Sequence, residues 1–385
     1  MKILMLTWNY PPTVGGIEQV AFHTASGLRA RGHRVDVIAA ALPPGVADPA
    51  PDIMRARRPG IPSFLLHALR SGLRRIRVDR PDIMLCPSLT SAPSAWLLHL
   101  VTRVPYAIQI HGSDILVPRA LYQWAIRPLL RGACRLFTNS RNTADLLERR
   151  GYRTERIRVV CPGVTPPPPP SARPSEATMD LLARTAGRPT LVTVGRLIKR
   201  KGIREFIDEV LPLLAARFPG ILYLVVGGEA KASLIHHERI LDQLQEAIRR
   251  GGHEDRALIL GRLSDADLEQ VYRRADVFVL PCRDDPHDVE GFGIVILEAA
   301  LHGVPSVATR CGGIPDAIAD QHTGVLVPAG DAAAMADAIG DVLCDPARRR
   351  QLGDQARQRT LTEFTWDAIA ARYEEALRLA CAERR

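Results

Sequence analysis

Two carboxylates, Glu290 and Glu298, bracket the segment Glu290-Gly291-Phe292-Gly293-Ile294-Val295-Ile296-Leu297-Glu298. The first precedes a glycine turn. The second falls about two turns into the helix that the apolar run predicts. Glycine lets backbone approach a ligand closely, and a helix start offers unsatisfied N–H groups to a phosphate. A carboxylate accepts hydrogen bonds from hydroxyl groups in a dry site. The pattern suits a ligand that carries a phosphate and several hydroxyls, and a nucleotide sugar is such a ligand. A second charged run, Arg196-Leu197-Ile198-Lys199-Arg200-Lys201, follows a strand and a glycine. Arg196 and Lys201 flank a helix start and suit the neutralisation of charge developing on a diphosphate leaving group. Taken alone they would be ordinary surface bases. Lys199 and Arg200 are expected to face solvent.

The elements that must position these residues repeat one motif. Residues 2–7 read as a buried strand, 11–16 as a turn, 17–31 as a helix and 35–40 as a second strand. This opens a parallel sheet, without the spaced glycines of a dinucleotide fingerprint. Further strands are expected at 83–85, 104–110, 134–138 and 157–160. Residues 61–78 form a helix with Phe64, Leu65, Leu69, Leu73 and Ile76 as its apolar part and Arg70, Arg74, Arg75, Arg77 and Arg80 as a basic group. Such a helix packs on the surface or lies on an anionic membrane. Residues 165–188 begin with five consecutive prolines at 166–170 and carry little periodicity, which marks an interdomain connection. From Pro189, strands recur at 191–194, 222–226, 257–260, 277–280, 306–308 and 325–327, and helices at 202–217, 332–344, 346–359 and 366–380. Two mostly parallel sheets follow, with ligands beyond the carboxyl ends of their strands.

A chain of 385 residues suits two domains, and 46% apolar content excludes a disordered one. The seven cysteines (86, 134, 161, 282, 311, 344 and 381) are odd in number and scattered. They suggest neither a disulfide framework nor a zinc cluster, and point to a reduced cytoplasmic setting. Met1–Leu6 runs directly into Trp8-Asn9-Tyr10-Pro11-Pro12, so no signal peptide is expected, and no apolar stretch is long enough to span a membrane. Residues 1–165 hold 23 Lys+Arg against 10 Asp+Glu, a net of +13, while the remainder holds 28 against 32, a net of −4. The first half therefore faces an acidic partner or presents an Arg-rich solvent surface. No aromatic–basic platform points to nucleic acid. Asp265-Ala266-Asp267 follows Ser264 at a helix start and reads as capping. Asp284, Asp285, His287 and Asp288 read as a polar loop rather than a cation site, so no metal is expected.

Five pieces stand in a jointly specific order: Gly15-Gly16-Ile17-Glu18, His111-Gly112-Ser113-Asp114, Val194-Gly195-Arg196-Leu197 with Lys201-Gly202, Glu290 through Glu298, and Gly312-Gly313-Ile314-Pro315-Asp316. By them nearly the entire chain resembles the retaining glycosyltransferases of family 4, whose GT-B fold is α/β, two Rossmann-like domains facing across a cleft. The segment Val289–Val295 is similar to that of bacterial phosphatidylinositol mannosyltransferases. The resemblance implies an acceptor-binding domain at 1–165, completed by a C-terminal crossover helix at about 366–385. It also implies a Pro-rich linker at 166–188 and a nucleotide-sugar donor-binding domain at 189–365.

The same resemblance implies roles. Arg196 and Lys201 hold the diphosphate. Glu298 accepts from ribose hydroxyls, and Glu290 holds a donor-sugar hydroxyl at the ring's 3-position. Backbone N–H groups of Phe292, Gly293 and Ile294 meet the sugar and diphosphate, and Arg262 lies in the stretch around the base. Gly16 lets a loop close over the phosphates, with Gly15 beside it on the acceptor side. His111 contacts the donor sugar near the transferred carbon, unless it is merely a satisfied histidine at a strand end. Asp114 organises the loop or acceptor, or caps a helix. No carboxylate nucleophile of the double-displacement kind stands out, so the implied mechanism is front-face substitution without metal or cofactor. Thr165 and Asp316 depart from the family pattern, which often has an acidic residue or Asn at the first and Glu at the second. The specific expectation is mannose transfer from GDP-mannose to a lipid- or polyprenyl-linked or glycan acceptor. The enzyme would be cytoplasmic and peripheral at the inner membrane face through residues 61–80. The alternatives are a UDP-glucose- or UDP-N-acetylglucosamine-dependent transferase with a small-molecule or polysaccharide acceptor, and a noncatalytic nucleotide-sugar-binding protein.

Overall fold

A computed structural model describes residues 1–13, 15–43, 45–48, 50, 52–167, 173–229, 239–285 and 288–383. They form two compact units, Met1–Gly163 with Phe364–Arg385, and Val164–Glu363. The first sheet contains β1 (Lys2–Thr7), β2 (Arg34–Ala39), β3 (Met54–Arg55), β4 (Ile83–Cys86), β5 (Tyr106–Ile110), β6 (Arg135–Thr138) and β7 (Ile157–Val159). Their order is β3-β2-β1-β4-β5-β6-β7, all parallel. The second contains β8 (Thr190–Val194), β9 (Leu222–Val226), β10 (Ala257–Gly261), β11 (Val277–Leu280), β12 (Ser306–Thr309) and β13 (Gly324–Val327). Their order is β10-β9-β8-β11-β12-β13, again parallel.

Parallel strands covered by helices on both faces bury every side chain, so they read as unbroken apolar runs. In β1, Ile3 and Met5 enter one core cluster and Leu4 and Leu6 the other, the period-two alternation of a strand between two layers. Each sheet reverses its order once, between β1 and β4 and between β8 and β11. Loops leaving the carboxyl ends of such neighbours diverge and leave a crevice.

The helix Trp366–Ala382 belongs to the first unit. It buries Ile369, Tyr373 and Leu377, and the Tyr373 hydroxyl donates to Gln109 Oε1 at 2.6 Å. Trp366 stacks on His23 with ring centroids 4.5 Å apart. A side chain at Gly27 would meet Ala370 Cβ at 2.5 Å, so this glycine sets how closely the helix Gly16–Ala30 approaches it.

One reading is corrected and others are refined. The stretch 166–188 is not a bare linker, because it contains the helix Glu176–Arg184 within the second unit. Ser175 caps that helix and donates to Asp267 Oδ1 at 2.9 Å, and Leu181 is buried. Residues 203–217 are helical without a break, as expected, but their middle, Phe206–Val210, is a wider π turn just before Pro212, which has no N–H to donate to a regular ladder. The edge strand β3 and the helices Ala92–Thr102, Ala120–Gly132, Arg141–Arg149 and Ile240–Gly251 were not foreseen from periodicity.

Candidate active site

The densest group of buried charge lies where β8 and β11 part. Lys201 ends a short turn, Lys199–Lys201, after β8, and Glu290 lies in the loop after β11. Both are buried, and Lys201 Nζ lies 2.8 Å from Glu290 Oε2. Arg200 does not face solvent as expected. It is 9% exposed, its Nη1 pairs with the same Glu290 oxygen, and its Nε lies 3.1 Å from Asp288 Oδ1. The turn faces inward because its backbone is tied down: the Arg283 N–H donates to Arg200 O at 2.9 Å. Burial alone would raise the Glu290 carboxyl, but the charges of Lys201 and Arg200 outweigh it and hold the group at about 2. Glu290 Oε1 accepts from none of the described residues, so one carboxylate oxygen remains for a hydroxyl donor.

The backbone at Glu290 is fixed from β12. The Gly313 N–H donates to Glu290 O at 2.8 Å, and Gly312 adopts a φ of 52° with Glu290 O only 2.3 Å from where a Cβ would stand. Only glycine meets both demands. Past it, Phe292 is buried, and Gly293, at φ 89°, begins the helix Ile294–Leu301 with no side chain capping its N–H groups. Glu298 lies on this helix, half-buried, and accepts from the Tyr272 hydroxyl at 3.0 Å. Burial pushes its carboxyl above the ordinary range, against that hydrogen bond.

Arg196 stands apart from the ion-paired group. It is exposed and has no ion pair with a described residue, while its neighbour Gly195 lies beneath the Lys201 amine, 3.7 Å from where a Cβ would stand. Arg262 is also exposed, its Nε 2.8 Å from the position a Gly228 side chain would take. Ser264 caps the helix Asp265–Arg274, and Asp267 accepts from Ser264 and Ser175, which accounts for these carboxylates as capping. His287 lies outside the described residues, and its neighbour Asp288 is the partner of Arg200.

In the first unit, His111 follows β5 directly. Its Nε2 donates to Pro87 O at 2.7 Å. The Asp114 carboxylate accepts from the His111 N–H at 3.2 Å, and burial pushes it up. Asp114 thus holds the loop and does not cap the short helix Ser113–Leu116, whose cap position is Gly112. Gly15 and Gly16 follow β1. Glu18 accepts from Asn9 Nδ2 at 2.8 Å, and its Oε2 lies 2.3 Å from where a Gly15 Cβ would be. Asn9, Tyr10, Glu18 and Arg55 line a concavity of about 380 Å³ beside this turn.

The structure groups Glu290 and Lys201 with Arg200 and Asp288, which were read as solvent-facing and as a polar loop, and sets Glu298 against Tyr272, which the sequence reading did not single out. Tyr272 carried a signal, since it lies with Val271 on the buried side of the helix Asp265–Arg274. Arg200 carried none, because a basic tripeptide looks the same whether it faces water or a carboxylate.

Comparison with known proteins adds the family context. Residues 188–345 match the family described as glycosyl transferases group 1, and residues 15–163 match the glycosyl transferase 4-like domain. The GDP-mannose-dependent alpha-(1-6)-phosphatidylinositol monomannoside mannosyltransferase of Mycolicibacterium smegmatis is 28% identical, over 97% of this chain and 98% of the relative. A glycogen synthase of Mycobacterium tuberculosis is 29% identical over 96% and 92%. The structure of sucrose-phosphate synthase from Thermosynechococcus elongatus superposes with a TM-score of 0.79 at 23% identity, covering 99% of each chain.

Proposed function

Since the chain belongs to the family 4 glycosyltransferases of GT-B fold, nucleotide-sugar-dependent enzymes related to GDP-mannose-dependent phosphatidylinositol mannosyltransferases, we propose that it transfers mannose from GDP-mannose, with retention, to a hydroxyl of a lipid-linked or glycan acceptor. The observation that carries this reading is the Glu290 carboxylate, held ionised by Lys201 and Arg200 beside an uncapped helix start that leads to Glu298.

Each residue then has a physical task. Glu298 accepts ribose hydroxyls through the oxygen that Tyr272 does not occupy. Glu290 Oε1 accepts a sugar hydroxyl. The N–H groups of Phe292, Gly293 and Ile294 meet the sugar and diphosphate at the helix start. Arg262 lies along the base. Lys201 has further N–H groups beyond its bond to Glu290, and these, with the exposed Arg196, stabilise negative charge on the leaving phosphate. The bond from the sugar's anomeric carbon to the phosphate oxygen breaks through an oxocarbenium-like transition state. The acceptor oxygen bonds to that carbon on the same face, and its proton passes to the departing phosphate. His111 and Gly16 keep the donor-side roles that the family resemblance implies, and Gly15 and Asp114 the acceptor-side ones. The reaction uses no cofactor and no metal.

The net charge of +13 on residues 1–165 supports an anionic acceptor. No helix among the described residues is long and apolar enough to cross a membrane. Arg70, Arg74, Arg77 and Arg80 are exposed on or just after the helix Ile61–Val78, which supports peripheral contact with an anionic inner leaflet from the cytoplasm. The glycogen synthase relative favours a second reading, with UDP-glucose or UDP-N-acetylglucosamine as donor and a polysaccharide as acceptor. Incubation with labelled GDP-mannose and with each UDP-sugar, with phosphatidylinositol, polyprenyl-phosphate and oligosaccharide acceptors, separates the two. An α-mannosyl product from GDP-mannose is expected. Transfer from a UDP-sugar alone replaces the first reading with the second, and binding without any transfer supports a noncatalytic protein.

A further inference from the structure

The first sheet has a second edge, away from His111 and Gly16. Both of those follow carboxyl ends of strands. At the opposite edge β6 begins with Arg135, and the short turn before β7 and β7 itself carry Arg153, Arg156 and Arg158. These four arginines, with Glu155 and Glu383, line a concavity of about 580 Å³. Arg135 is 2% exposed. Its Nη1 donates to Glu155 O at 3.2 Å, its Nη2 pairs with Glu383, and its buried Nε has no partner among the described residues. A buried charge requires a counter-charge. Among the described residues Arg135 has one such partner, and Glu383 is itself 59% exposed, just beyond the last helix. Arg156 donates to Arg131 O at 2.9 Å and Arg158 to Ile157 O at 2.8 Å. Neither they nor Arg153 forms an ion pair with a described residue. Four guanidinium groups thus face two carboxylates. Arg153 and Arg156 retain donors without an anionic partner among the described residues, and Arg158 shares the charge of Glu383 with Arg135.

We propose that this concavity is an anion site, separate from the candidate active site, that binds a ligand bearing two or more phosphates, and that Glu383 competes with that ligand for Arg135. Guanidinium groups present paired N–H donors that match phosphate oxygens. The volume lies within the range of small-molecule sites, about 300–1,000 Å³, and exceeds what one phosphate fills. The separation follows from the topology, because in a parallel sheet the starts of β6 and β7 lie at the edge opposite the end of β5.

The test is isothermal titration of pyrophosphate into the full chain carrying R196A, which weakens the other diphosphate site and, being at an exposed residue, leaves the fold intact. Binding near one to one is expected. Adding R153A and R158A weakens it about tenfold or more, about 1.4 kcal/mol per tenfold, since two guanidinium groups that donate to phosphate are lost. E383Q, which removes the competing charge, strengthens it several-fold. Vesicles carrying a phosphorylated inositol lipid form a second arm. Capture by such vesicles, lost with R153A and R158A while pyrophosphate binds weakly, assigns the same phosphate chemistry to a lipid head group. Equal pyrophosphate affinity with and without Arg153 and Arg158, or no binding in either arm, overturns the site. Unchanged affinity in E383Q overturns the competition.

Discussion

Arg196 and Lys201 look equivalent in sequence and differ in surroundings. Arg196 is exposed and unpaired among the described residues, so Arg196→Ala is expected to lower turnover about a hundredfold while leaving the melting temperature unchanged. Lys201 is 7% exposed and paired with Glu290. Lys201→Ala therefore costs turnover and also about 1–3 kcal/mol of stability, with Arg200 keeping Glu290 partly compensated. Steady-state kinetics beside thermal melts separate the two effects, and full turnover in both variants contradicts the phosphate-clamp role. The two glutamates also differ. The folded Glu290 carboxyl is held at about 2, below its ordinary value of 4.5. Its stabilisation is complete above that ordinary value and is lost as pH falls from about 4.5 towards 2. Melts across that window should show wild type losing more stability than Glu290→Gln. Burial moves Glu298 the other way, so acidification should weaken donor binding at a higher pH than an ordinary glutamate would give, and Glu298→Gln should abolish that limb. Glu298 was legible as a helical residue, although it stands about one turn into Ile294–Leu301 rather than two, and Glu290 lies in the loop before that helix. The inward turn of Arg200 was not, because it depends on a backbone hydrogen bond to Arg283, 83 positions away in the chain.

At the scale of elements, the site rests on loops leaving β8, β11 and β12. Gly312 is where the loop after β12 presses on Glu290. Gly312→Ala is expected to displace that backbone and lower donor affinity at least tenfold. Gly330→Ala, also at positive φ (81°) but with nothing within 4 Å of its Cβ position, should cost about 1 kcal/mol of stability and leave binding intact. Titration of both variants checks the contrast, and equal donor affinity in the two contradicts the account of Gly312. Apart from the two-residue β3, strands were read within a residue or two because most are apolar runs buried on both faces. The helix Ala92–Thr102 was missed because it is apolar nearly all round and shows little 3.6-residue contrast. The helix Glu176–Arg184 is short and is anchored by Ser175 on Asp267, a contact that no local pattern announces.

For the whole molecule, the chain leaves the first unit at Gly163 and returns to it at Phe364. Truncation after Glu363 removes Ile369, Tyr373 and Leu377 from the first unit's core, and is expected to leave residues 1–163 aggregation-prone while 164–363 keeps a cooperative melt. Amide exchange on the truncated chain checks this, and unchanged protection of β1 and β5 contradicts it. The charge asymmetry between halves was visible in composition, whereas the gathering of Arg135, Arg153, Arg156 and Arg158 around Glu383 depends on which sheet edge they share. The central claim is that the Glu290–Glu298 site of the second unit binds a nucleotide sugar. Isothermal titration of GDP-mannose, UDP-glucose and UDP-N-acetylglucosamine into wild type and Glu298→Ala tests it most directly. The account predicts that GDP-mannose binds wild type best and that Glu298→Ala weakens it about tenfold or more. Binding of every donor unaffected by the substitution, or of none, contradicts it.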